Sequence, residues 1–141
     1  MLQRLDILTR HHDRLIEIMA TARTQITDSV KDADLEGLRH LRREMVEALS
    51  AYQRFVHEEI YEPAQQGVGS EEACRDARAL KIDCIQLQRD YDDFCMRWAR
   101  RHVLENWPEY RLSVNLMMKQ MNDHIRQVSE LRKGWNNGRA A

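Results

Sequence analysis

Two histidines occupy positions where the pattern around them calls for hydrocarbon. In "LTRHHDRLIEIM" (residues 8–19), His12 falls on the row Leu5, Leu8, His12, Leu15, Met19, Ala22, Ile26. That row alternates three- and four-residue steps, as the buried face of a helix does. His124 stands in the same way on the row Tyr110, Val114, Met117, Met121, His124, Val128, Leu131, Trp135. Cys84 belongs to a third row, Ala77, Leu80, Cys84, Leu87, Tyr91, Phe94, Trp98. Glu59 lies near the inner face of another segment, one turn past Phe55 and Val56. His57 is about 100° from the centre of that segment's row, within inward reach at a helix boundary. His11, His40 and His102 fall off the rows. An imidazole or carboxylate buried without a partner costs kilocalories, so each inward group implies a partner. One such partner is a metal ion, because neutral imidazole is a good ligand for iron, zinc or copper. The candidate ligands are His12, His124, His57, Glu59 and Cys84. The competing reading is two core histidines bonded to each other, to Tyr52, to Tyr91 or to a buried water.

The elements that must position these groups are four amphipathic segments. The first runs from about Gln3 to Thr27, and the polar stretch "DSVKDAD" (28–34) follows it as a loop. The second runs from about Leu35 to Gln65, with the row Leu38, Leu41, Met45, Leu49, Tyr52, Val56. "QQGVGS" (65–70) breaks it with two glycines. Ser70 then opens the third segment as a capping hydroxyl ahead of Glu71 and Glu72. "ENWPEY" (105–110) separates the third from the fourth, with Asn106 as cap, Pro108 in the first turn and Glu109 placed as in a capping box. Four long helices on short links predict an all-α, antiparallel up-down-up-down four-helix bundle, one domain over residues 1–141. Positions equidistant from a turn face each other in such a bundle. Reflection about the three loops therefore places His12, Leu49–Tyr52, Cys84–Leu87 and His124 in one mid-bundle layer, with Glu59 about two turns away.

Composition excludes other classes. Hydrophobic residues make up 43% and charged residues 32%, a globular balance, while 5 glycines and 2 prolines are too few for a turn-rich all-β fold. Lys plus Arg number 22 against 23 acidic residues, so net charge points neither to nucleic acid nor to an anionic membrane. The arginine runs "RHLRRE" and "RWARRH" are expected on solvated outer faces. No apolar stretch approaches the ~20 residues that span a bilayer, and "MLQRLDILTRHHD" lacks a signal peptide's apolar run. Cys74, Cys84 and Cys95 share one segment, too far apart to bridge one another, which suggests reduced thiols and a cytoplasmic setting. There is no nucleophile–base pair, phosphate-cradling glycine loop or H-E-x-x-H motif, and no enzyme is expected.

The chain resembles the hemerythrin-like (HHE cation-binding) family over roughly residues 5–135. "TRHHDRLIEIM" is similar to the family's first-helix ligand segment and carries it onto His12. "YQRFVHEEIYEPA" (52–64) is similar to the end of the second helix, and "MNDHIRQVSEL" to the fourth-helix ligand segment, which corresponds to His124. Aligned on Pro63, the second-helix histidine and glutamate fall on Gln53 and His57; aligned on the inward face, they fall on Phe55 and Glu59. Neither frame keeps an intact H-x-x-x-E, and the third-helix histidines are absent. The resemblance thus implies a hemerythrin-like bundle with a reduced, mononuclear or vestigial iron or zinc site and no intact di-iron centre. The function it implies is regulatory binding or sensing, with oxygen or nitric oxide as small ligand and a protein as partner. The alternative is a metal-free bundle that works as an interaction module, with Trp98, Trp107 and Trp135 near helix ends either closing the core or anchoring a partner.

Overall fold

The computed structural model describes the backbone of residues 2–66 and 70–140, with side chains over 3–66 and 70–131. Among these residues it is all-α, a helical bundle of four long helices without strands. Helix α1 spans Leu2–Gln25, α2 Leu35–Val56, α3 Glu71–Arg100 and α4 Trp107–Ala140. A single 3-10 turn, Val30–Asp32, interrupts the loop before α2. Two of the starts are capped as their sequences require. The Asp34 carboxylate accepts from the Gly37 backbone N–H at 3.0 Å, and the Ser70 hydroxyl accepts from that of Ala73 at 3.1 Å. The glycine breaker falls on residues 67–69, outside the described ones, as does the side chain of Trp135.

The start of α4 follows a different plan from the expected capping box. Asn106 Oδ1 accepts from Arg101 Nη2 at 2.9 Å, and the Glu109 carboxylate takes the other arm of the same guanidinium at 2.7 Å. One arginine from the end of α3 thus clamps the turn. Trp107 and Arg111 then fasten the start of α4 to the end of α1. The indole N–H donates to the Thr27 carbonyl at 2.9 Å and Arg111 Nε to the Ile26 carbonyl at 3.0 Å. These bonds satisfy carbonyls that the end of α1 leaves without helical partners.

The rows read from the sequence form most of the core, although Leu5, Ala22, Met117 and Leu131 of the first and last rows are only half-buried. All six row residues of α2 and all seven of α3 are buried. Leu8, Leu15 and Met19 of α1 meet Met121 and Val128 of α4 in the same cluster. Ile18, Met118 and Ile125 are also buried, beside the rows rather than on them, because a helix enclosed by two neighbours hides more than one stripe.

Helix α2 does not continue as a plain α-helix to Gln65. After Val56 it passes through one π turn, His57–Tyr61, and ends in a short α turn, Glu62–Gln65. A π turn holds an extra residue, so it rotates everything beyond it by about 100°. Tyr61, five residues after Val56, therefore becomes fully buried, and Ile60 is buried beside it. Glu59 is turned to the side, half-exposed, where its carboxylate pairs with Arg4 at 3.3 Å.

Candidate functional site

His12 from α1 and His124 from α4 are both buried, at 6% and 2% exposure. Tyr52 of α2, fully buried, stands between them. Its hydroxyl lies 2.7 Å from His124 Nε2 and 3.4 Å from His12 Nε2. Both imidazoles thus turn their Nε2 atoms toward one phenol oxygen. His124 is held from behind as well: its Nδ1 lies 2.7 Å from Asp83 Oδ2 of α3, a half-exposed carboxylate.

The proton positions follow from what each partner can do. The Asp83 carboxylate only accepts, so His124 Nδ1 carries a proton and donates it. Burial holds the His124 pKa below the ordinary histidine value, although the Asp83 carboxylate opposes that shift, so the ring is neutral. Its Nε2 is then an acceptor, and the Tyr52 O–H donates to it. The Tyr52 oxygen in turn accepts from His12 Nε2–H over the longer 3.4 Å contact. The result is one directed chain, His12 to Tyr52 to His124 to Asp83, drawn from all four helices and ending at the surface.

Around this chain the interior stays polar. Gln53 is buried and its side-chain amide donates to the Cys84 carbonyl at 2.8 Å. Tyr61 lies beside Tyr52 and the Cys84 thiol, and its buried hydroxyl interacts with both. Desolvation pushes the Tyr52 and Tyr61 hydroxyls well above the usual phenol range. Burial likewise pushes the Cys84 thiol up to about 12, so it is protonated at neutral pH and a poor ligand as it stands. His11 packs on Tyr52 and Phe55, with ring centroids 6.2 and 5.3 Å apart.

The structure therefore brings together His12, His124 and Tyr52, with Cys84 one residue from Asp83. It leaves two of the sequence candidates outside. His57 is half-buried with its ring edge against Tyr61, centroids 5.3 Å apart, and Glu59 is engaged by Arg4. Among the described residues no three groups of the histidine, cysteine or carboxylate type cluster as metal ligands do. Asp83 is the participant that sequence reasoning missed. It stands beside the buried row at Cys84, on the boundary facing α4, and a neutral His124 needing an acceptor for its second nitrogen was the signal for it.

The chain matches no family model, no curated protein and no solved structure.

Proposed function

We propose that this chain is a hemerythrin-like, up-down-up-down antiparallel bundle with a regulatory, non-enzymatic role in the cytoplasm, holding one iron or zinc ion in the His12–Tyr52–His124 layer. The observation that carries the reading is the convergence of two Nε2 atoms from different helices on one buried oxygen. Ligands about 2.0–2.2 Å from a common ion stand about 3 Å from each other, and each Nε2 lies in that range from the Tyr52 oxygen, at 3.4 and 2.7 Å. Asp83 supports the same reading, since a metal-binding histidine usually donates its other ring N–H to a carboxylate or carbonyl that fixes its tautomer. His12 and His124 would hold the ion, with Tyr52 the nearest oxygen. A di-iron complement does not fit these residues: Glu59 is engaged by Arg4, His57 packs on Tyr61, and the Cys84 thiol is protonated.

A bound ion supplies affinity for a small ligand such as oxygen or nitric oxide. The protein's part is to orient the imidazoles, keep bulk water out of the layer and give an apolar ligand a dry approach. A mostly apolar cavity of about 60 Å³, lined by Met19, Met45, Tyr91, Met118 and Met121, lies in the core on one side of the layer, with Met121 one turn from His124. No helix among the described residues is long and apolar enough to cross a membrane.

A second reading has its own observation. Both nitrogens of His124 already have partners, so the chain from His12 to Asp83 closes without an ion. On that reading the layer fixes helix register, and the bundle serves as a metal-free protein-interaction module. Metal content separates the two. Protein purified under reducing conditions and offered iron(II) or zinc(II) should retain about one ion per chain, and a folded His12→Ala/His124→Ala variant should retain none. Content well below one, or retention by the variant, refutes the metal reading.

A further inference from the structure

The two arginine runs expected on separate solvated faces meet. Arg39, Arg42, Trp98 and Ala99 line both of two adjoining clefts where the first half of α2 packs against the end of α3. The inner cleft, about 150 Å³, adds Arg100, Arg101 and His102, and no carboxylate lines it. The outer groove, about 560 Å³, adds Arg43, Val46 and Cys95, with Glu47 as its one acid.

These charges are only partly compensated. Arg101 is engaged by Glu109 and Asn106, and Arg39 makes an exposed contact with Glu36 at 3.1 Å. Among the described residues, Arg42, Arg43 and Arg100 have no carboxylate within ion-pair distance. The α3 dipole accounts for Arg97 and Arg100, which stand in its last turn, but no helix end accounts for Arg39, Arg42 and Arg43, which lie past the first turn of α2. Trp98 adds an independent sign of a missing acceptor. It is 3% exposed and lines both clefts, and among the described residues its indole N–H has no hydrogen-bond partner. A chain of net charge −1 has thus gathered more cationic donors than carboxylates at one place.

We infer that this cleft binds a small phosphoryl anion, either free phosphate or a phosphate monoester whose organic part extends into the outer groove. Guanidinium forks match phosphate oxygens two at a time. A carboxylate offers one charge and two oxygens; a phosphoryl dianion offers two charges and three oxygens, which suits several guanidinium groups at once. The site is separate from the histidine layer, and binding here needs no metal.

The test is titration of the 141-residue chain with orthophosphate and with phenyl phosphate, followed by amide NMR at constant ionic strength against sodium chloride. Saturable shifts at residues 39–43 and 98–103 are expected. Arg100→Gln, an exposed change, should weaken binding three- to tenfold, and Arg42→Gln about tenfold or more. Saturation by orthophosphate alone identifies a free anion as the ligand, and tighter phenyl phosphate binding identifies a monoester. Shifts that track chloride equally, or that neither variant weakens, overturn the inference.

Discussion

Replacing Tyr52 by Phe removes one oxygen and keeps the ring. The side chain is fully buried against Leu49 and Val56 in the core, so the substitution leaves almost no cavity. Its cost is polar. His124 Nε2 loses a 2.7 Å bond while its ring remains enclosed, and His12 Nε2 loses a weaker one at 3.4 Å. A buried group left without its partner costs about 1–3 kcal/mol, and the long contact adds little to that. Tyr52→Phe should therefore destabilise the metal-free protein by about 2 kcal/mol. Tyr91→Phe is the internal control, because its hydroxyl makes a long 3.4 Å contact to the Arg42 carbonyl and a weak one to the Cys95 thiol, and should cost under about 1 kcal/mol. Urea unfolding by circular dichroism, on metal-free protein at pH 7.5, measures both. If Tyr52→Phe is within about 0.5 kcal/mol of wild type, the hydroxyl does not bridge the imidazoles and the directed chain is wrong.

Protonation gives a second prediction. Burial lowers the His124 pKa below its unfolded value, and His11 and His57 are lowered in the same direction by desolvation. The unfolded chain then binds more protons than the folded one once pH drops below about 6.5, so stability should fall from pH 7.5 to pH 5.5. The fall should be smaller in His124→Gln, and an equal fall in both would remove His124 from the explanation. Thiol chemistry gives a third. Cys84 is fully buried with its pKa pushed up to about 12, so iodoacetamide at pH 8 should label the half-buried Cys74 and Cys95 first and Cys84 only on unfolding. Peptide mass mapping reads the order, and early labelling of Cys84 would contradict its burial. Fourth, His12→Leu should cost less stability than His124→Leu in the same urea assay, since only the latter takes the 2.7 Å partner from the buried Tyr52 hydroxyl; the reverse order would misplace the strong end of the chain.

Much of the bundle was legible because helical periodicity is a one-dimensional signal. Leu38 to Val56 and Ala77 to Trp98 could be assigned as buried from spacing alone, and all of those row positions are. The shared layer was legible too, because equal distances from short loops bring His12, Tyr52 and His124 to one height. The π turn was not, since "HEEIY" has no composition that marks it, and one extra residue is enough to exchange Glu59 for Tyr61 on the inner face. Asp83 lies off its row, so helical periodicity carries no signal for it. The cleft of arginines was invisible for a related reason: residues 39–43 and 97–102 each read as a solvated face, and only packing of α2 on α3 makes them neighbours.

The most direct test of the central claim is imidazole nitrogen NMR on chain labelled with ¹⁵N in its 6 histidines, before and after one equivalent of zinc(II). The metal-free spectrum should show His124 protonated at Nδ1 alone, and zinc should shift the Nε2 signals of His12 and His124 together at a one-to-one endpoint. If His124 is protonated at Nε2 instead, or if zinc moves only the exposed His40 and His102, the layer is neither the proton chain nor the metal site argued here.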